Sequence, residues 1–346
     1  MYRLCEVERK ILSIAQADAD LPCIEIARRL NLKQHTVRYA LTKLQEAGVI
    51  QRLTCVNLAK IGYGEYFLVV NIKDRSPASQ KRLVETIKQS DHVVWLLELG
   101  GEYHLGVVYL ASSILDATLF VEELCSRSEV EFSKKILSLR VARAYFGVKH
   151  LSPIREQRRF DMGTIGAEAG EWDHTDHEIL HALASNTVES PSTIARLLGK
   201  PESTILYRLK LLKQKGILHN TVYYIHPESY GMASYRLHVA MLAPSAKLRE
   251  SLHLWACNHP NVLAAFHSLG PWDFELRVEV PDFRGAMQLA QELNEKFSPN
   301  VSKVEVIPAF ALQALCHYPF RQWPTAGDFF CDRTKQERAL KVSNSG

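Results

Sequence analysis

Residues 36–50 read Thr-Val-Arg-Tyr-Ala-Leu-Thr-Lys-Leu-Gln-Glu-Ala-Gly-Val-Ile, and residues 204–218 read Thr-Ile-Leu-Tyr-Arg-Leu-Lys-Leu-Leu-Lys-Gln-Lys-Gly-Ile-Leu. The offset of 168 also places Ile11-Leu12 on Ile179-Leu180, Ile26-Ala27-Arg28 on Ile194-Ala195-Arg196, and Leu30 on Leu198. Past the shared glycine the offset becomes 169. Gly62 then meets Gly231, Tyr66 meets Tyr235, Gly101 meets Gly270, and Ser133-Lys134 meets Ser302-Lys303. Self-similarity over such a distance is the mark of a duplication. The units run over 1–147 and 172–318, and any fold assigned to one must serve for both.

Within each unit the hydrophobic period changes half-way. Val7, Ile11, Leu12 and Ile14 have helical spacing and predict a first helix from Glu6 to Ala17. Pro22 opens a second helix that carries Ile24, Ile26, Ala27 and Leu30. The third runs from Lys33 to Glu46, with Val37, Leu41 and Leu44 on one side, and Gly48 ends it. Three short helices with a tight turn before the last make a helix-turn-helix, whose last helix enters the major groove of duplex DNA. Its outward side carries Lys33, Gln34, His35, Arg38, Tyr39 and Lys43, and Arg28 on the preceding helix adds a phosphate contact. In the second copy the corresponding candidates are Ser203, Tyr207, Arg208 and Lys210, behind a helix start at Pro201-Glu202. Glu202 repels phosphate, so the first copy is expected to read sequence and the second to bind more weakly.

After the helices, periods of two take over. Tyr66–Ile72, His92–Leu99, Tyr103–Leu110 and Phe132–Val141 predict strands, with helices from Ser76 to Gln89 and from Ser113 to Cys125. The order βαββαβ is the ferredoxin-like arrangement. It recurs as Tyr235–Leu242, Ala246–Asn258, Val262–Leu269, Asp273–Val280, Phe283–Phe297 and Val301–Pro308. The expected fold class is therefore α+β: two copies of a three-helix (winged) helix-turn-helix joined to a ferredoxin-like βαββαβ sandwich. The expected domains are 1–56 and 172–225 for the helix-turn-helix units and 62–147 and 231–318 for the sandwiches. A linker falls at 148–171 and a loose tail at 319–346. A sheet with helices on one face needs cover on the other, which two copies in one chain can provide for each other as an internal dimer.

With 346 residues, several cores are needed. No run of 18 apolar residues suggests a membrane span, and the first residues lack the apolar stretch of a signal peptide. The seven cysteines form no Cys-x-x-Cys pair, which suits reduced thiols in a cytoplasmic protein. The formal charge of +4 neither demands nor excludes nucleic acid. No phosphate loop, Gly-x-Ser-x-Gly, His-Glu-x-x-His or dinucleotide motif occurs, so no catalytic residue and no cofactor are expected. His174, His177 and His181 share a helix face but lack further ligands, and no metal is expected there.

Ile26-Ala27, the run from Leu44 through Gly48-Val49-Ile50, Asn57 with Gly62-Tyr63, and Gly270-Pro271-Trp272-Asp273 together resemble the Lrp/AsnC (feast/famine) regulators. The likeness spans nearly the whole chain apart from linker and tail. It implies a DNA-binding transcriptional regulator that forms homo-oligomers through its sensing domains. It also implies an amino acid or related small metabolite as effector, bound near the hairpin at Gly101, Tyr103, His104, Gly270, Trp272 and Asp273. The chain departs from the family at Ala40, where an arginine is usual, and at His104, where the hairpin usually has Asp. Siroheme decarboxylases, enzymes of tetrapyrrole biosynthesis, share this architecture and are the alternative reading. The basic and aromatic signature associated with them is not matched by Leu53–Tyr63 or Thr221–Gly231.

Overall fold

A computed structural model describes residues 2–151, 160–164, 170–185 and 190–330. Helices α1 (Glu6–Ala15), α2 (Cys23–Leu30) and α3 (Gln34–Glu46) form the first tri-helical unit. Pro22 stands just before α2, and Asn31 closes it in the left-handed conformation, φ 53°. Ile11, Leu12, Ile26, Val37, Ala40, Leu41 and Leu44 form its core, as the helical spacing requires. Gly48 follows α3 at φ +65°, with open space where a β-carbon would sit. Gly48→Ala is therefore a pure backbone strain, expected to lower stability by about 1–2 kcal/mol in thermal melts without disturbing the packing.

Strand β1 (Ile50–Val56) leads to β2 (Gly64–Ile72), α4 (Pro77–Gln89), β3 (Val93–Leu99), β4 (Leu105–Ala111), α5 (Ile114–Ser128) and β5 (Phe132–Tyr145). A short strand β6 (Phe160–Thr164) pairs with β5. The second unit repeats the series: α6 (His174–Ala184), α7 (Pro191–Leu198), α8 (Glu202–Gln214), β7 (Leu218–Ile225), β8 (Ala233–Met241), α9 (Ala246–Asn258), β9 (Val262–Leu269), β10 (Phe274–Val280), α10 (Phe283–Phe297) and β11 (Val301–Leu315). The sheet order β5-β2-β4-β3 in the first half and β11-β8-β10-β9 in the second confirms the ferredoxin-like reading.

Both final strands are longer than the sequence pattern predicts, and the extra length has a purpose. The first part of β5 pairs with β2, and its continuation from Leu139 to Tyr145 pairs with β9 of the other half. Likewise β11 leaves β8 and continues along β3. The two sheets thereby close into one ring, which removes four open edges. Helices α4 and α5 cover the outside of one half over Leu68, Val70, Val107 and Tyr109. Helices α9 and α10 cover the other over Leu237, Val239, Leu276 and Val278. The inner faces of the two halves meet, as expected of an internal dimer.

Across one mouth of the ring lies a two-stranded sheet of β1 and β7, with Ile50 opposite Ile225 and Leu53 opposite Val222. The first tri-helical unit packs on Val148, Tyr230 and Leu263, so it leans on the second half of the chain.

Two expectations need correction. The segment 148–171, read as linker, contains β6. The tail is not loose as far as Phe330: Phe320, Phe329 and Phe330 are buried against Tyr63, His92 and Phe120. The polar residues around them masked three aromatic anchors. Residues 331–346 of the expected tail lie outside the described residues. No helix among the described residues is long and apolar enough to cross a membrane.

Candidate nucleic-acid interface and a buried arginine cavity

Helix α3 buries Val37, Ala40, Leu41 and Leu44 and leaves Gln34, His35, Arg38 and Tyr39 exposed, Tyr39 by 69%. Lys33, at the N-cap, and Arg28, on the last turn of α2, are exposed as well. The N-terminal part of the helix thus presents cations and hydrogen-bond donors to solvent, where a major groove is read. Ala40, where the family has an arginine, points into the core. Lys43 is turned back toward the first helix: its Nζ lies 3.5 Å from Glu8 and 5.2 Å above the Tyr2 ring.

Helix α8 differs. Ser203, Tyr207 and Lys210 are exposed, but Arg208 donates to Asp173 at 2.6 Å and lies 3.4 Å from Asp176. Asp173 is the N-cap of α6, so Arg208 ties one helix to the start of another. We expect Arg208→Ala to cost about 1 kcal/mol of stability and to leave DNA affinity nearly unchanged. A denaturation midpoint measured beside DNA binding separates the two effects.

The hairpin residues fall in equivalent places in the two halves. His104 Nδ1 accepts the backbone N–H of Ile72 at 3.0 Å, and Asp273 Oδ2 accepts that of Met241 at 2.7 Å. Position 104 therefore keeps, as His, the backbone bond that Asp makes in the second copy. Trp272 is 4% exposed and stacks on His238 at 3.7 Å, with its edge toward Phe67. Tyr103 is buried beneath the Lys134 ammonium. Gly101 and Gly270 are exposed.

A cavity of about 620 Å³ lies elsewhere, between the ring and the β1–β7 sheet. Four arginines line it: Arg140 and Arg143 from β5, Arg236 from β8 and Arg277 from β10. Arg140 donates to both oxygens of Glu275, which is 0% exposed. Arg143 pairs with Glu65 and donates to the Val56 carbonyl at 3.1 Å, and Arg277 reaches Glu279 at 2.6 Å. Arg236 is different. It is 3% exposed, its Nε stands 3.6 Å from Glu275, and neither Nε nor Nη1 has a hydrogen-bond partner. Its guanidinium lies 4.1 Å above the Trp95 ring. Burial pulls this guanidinium down to about 9, against the partial support of Glu275. His317, also lining the cavity, is held neutral by burial at about 3. Among these groups four guanidiniums face three carboxylates. The rest of the wall is mixed: Leu53, Val94, Trp95, Phe266 and Leu315 are apolar, while Gln16, Asn220 and Tyr223 bring polar groups.

A family profile described as winged helix-turn-helix DNA-binding matches residues 6–51 and again 173–218. An HTH-type transcriptional regulator of Pyrococcus furiosus is 32% identical over 143 residues, covering 95% of that relative and 41% of this chain. The chain belongs to the Lrp/AsnC family of transcriptional regulators. A Pyrococcus abyssi regulator of the same description is 30% identical over 145 residues, covering 97% of its length and 41% of this chain. Each relative is thus about one unit long, and this Lrp/AsnC chain carries the unit twice. These relatives are named as regulators, not enzymes, and DNA binding by a helix-turn-helix is the function of the family. Over its whole length the chain also resembles the siroheme decarboxylase NirDL, solved with an iron-uroporphyrin III analogue. That match covers 99% of this chain and 100% of the other, with a TM-score of 0.59 at 14% identity, and shows a shared fold.

Nothing in the sequence pattern marks the four arginines. Arg236 and His238 on β8, and Glu275, Arg277 and Glu279 on β10, alternate with apolar residues, a pattern that equally describes a strand with one wet face. The duplication holds the missing signal. At the offset of 169, Arg140, Arg143, Arg236 and Arg277 meet Ala309, Leu312, Phe67 and Val108. An Lrp/AsnC pair of identical halves would have four more cations or none.

Proposed function

We propose that this Lrp/AsnC regulator recognises its operator through α3 of the first unit, with α8 adding nonspecific phosphate contacts. A small-molecule effector changes that affinity from the sensing half. The observation that carries the reading is the exposed Lys33–Tyr39 face on a correctly built third helix. It is supported by the return of Arg208 to its own domain. The effector position favoured by the geometry is the arginine cavity. The Asp273 carboxylate and the Trp272 ring, candidates for an amino-acid site, already hold backbone and core partners. Assembly of whole chains into a homo-oligomer is supported by exposed apolar residues at equivalent positions of the two halves, Ile114 on α5 and Phe283 on α10. Purified protein titrated onto genomic DNA fragments at several salt concentrations tests the core of this reading. Sequence-selective binding that weakens steeply with salt is expected, and affinity equal for all fragments would overturn it.

Two observations favour a second reading, tetrapyrrole chemistry like that of NirDL: the arginine-lined cavity is roomy and the whole-length fold agrees. A visible spectrum of the same preparation decides it. A bound or transformed tetrapyrrole would support that alternative, and a colourless protein that retards specific DNA fragments supports the regulator.

A further inference from the structure

The cavity lies on the internal two-fold relation of the chain, because it is lined by both members of several duplicated pairs: Val94 with Leu263, and Phe146 with Leu315. A duplicated site would be expected to bind two identical ends. This one is polarised instead. All four arginines stand on β5, β8 and β10, while the duplicate positions hold Ala309, Leu312, Phe67 and Val108. The charged wall carries one more cation than its carboxylates neutralise, and Arg236 keeps two donors unpaired although almost wholly buried. A buried guanidinium without a full complement of acceptors is costly. An anionic oxygen presented from the cavity restores both the charge balance and the hydrogen bonds. The wall also includes Leu53, Val94, Trp95 and Leu315, with the Trp95 ring directly against the Arg236 guanidinium.

We infer that the cavity binds one amphipathic carboxylic acid per chain, with its acid group at Arg236 and a bulky apolar body against Trp95 and Leu315. At about 620 Å³ the space suits a molecule of drug-like size and is roomy for a free amino acid. In taking this occupant as the effector, the assignment rests on the regulator reading above. The cavity wall also explains how occupancy is sensed. Gln16, at the end of α1, lines the cavity and is clamped to Val148, donating to its carbonyl at 3.0 Å and accepting its N–H at 2.8 Å. The backbone of Gln16 further accepts the N–H of Tyr223, another wall residue. The first DNA-reading unit is thus bonded to the rim, whereas the duplicate of Gln16 is Ala184, which has no side chain to do the same.

The test uses the full chain and the fluorescent probe 1-pyrenebutyrate, with neutral 1-pyrenebutanol beside it. The acid is expected to bind with one site per chain and at least tenfold more tightly than the alcohol. Arg236→Leu should remove most of that preference. Leu315→Trp, which keeps every charge but fills the apolar end, should weaken both probes at least tenfold. It keeps the test decisive should the arginine variant fail to fold. Equal affinity for acid and alcohol, two sites per chain, or indifference to Leu315→Trp would overturn the assignment. The titration contains no DNA, so its failure removes the cavity assignment alone. Failure of the protein to select DNA fragments removes the regulator reading alone.

Discussion

Glu275→Gln is expected to lower the unfolding free energy by about 3–5 kcal/mol, more than any other conservative change in the sheet interior. Glu275 is wholly buried, receives Arg140 through both oxygens and is the nearest carboxylate to Arg236. Removing its charge leaves two buried guanidiniums beside each other, while the amide can accept only part of the lost hydrogen bonding. Urea denaturation of the variant beside wild type measures the loss. Arg140→Met combined with Glu275→Gln should be less damaging than the sum of the single changes, because the pair acts as a unit. Additive losses would show that the two side chains do not depend on each other.

The same carboxylate sets an acid limit. Burial alone would raise its pKa, but Arg140 and Arg236 beside it, with the Arg140 hydrogen bonds, hold it below the usual 4.5. A depressed carboxylate contributes stability that is fully present above the unfolded value and is lost as pH falls through the folded one. Wild type should therefore lose stability steeply below about pH 4.5, and Glu275→Gln should show a shallower decline there. His238 and His317, both held near 3 by burial, add to the wild-type slope from a higher pH. Unfolding frees them to take up protons from about pH 6.5 downward.

The second large effect is on recognition. Arg38→Ala should weaken specific DNA binding by about 1–3 kcal/mol, roughly tenfold to more than a hundredfold, and relax selectivity at the contacted base pair. Arg38 is exposed on α3, at the flank of the face that buries Val37 and Leu41. Lys43→Ala is expected to act more weakly and evenly on all sequences, and to flatten the salt dependence. Its ammonium is shared with Glu8 and Tyr2, and it is expected to meet phosphate rather than a base edge. Fluorescence anisotropy on a selected fragment and a scrambled one, at two salt concentrations, distinguishes them. An operator affinity unchanged by Arg38→Ala, with the fold intact, would sink the assignment of α3.

What the sequence revealed and what it hid follow from the range of the forces involved. Helical spacing from Ile11 to Leu44, and the capping glycine after α3, are local, and both units could be read from them. The ferredoxin-like order was legible because each strand alternates. The far ends of β5 and β11 were not, because Leu139–Tyr145 and Ala309–Leu315 pair with the opposite half. The arginine wall was hidden for a related reason. Alternation tells which residues share a face, but only the meeting of two sheets tells that the face is buried. Phe329 and Phe330 escaped notice because burial of a few aromatics in a polar stretch leaves no period at all.

The exchange of final strands also sets a timetable for the growing chain. Leu99 on β3 waits for Ala309 on β11, 210 positions later. At a synthesis rate of about 5–20 residues per second, that delay is on the order of 10–40 s. Throughout it the first sheet is nearly complete but leaves the outer edge of Val93–Leu99 open, an apolar strand able to recruit another from any neighbouring nascent chain. A chain of one unit would have to find the partner for this edge on another molecule. Here translation itself delivers it, so stalled ribosomes or premature stop codons before β11 should yield products that aggregate rather than half-sized regulators.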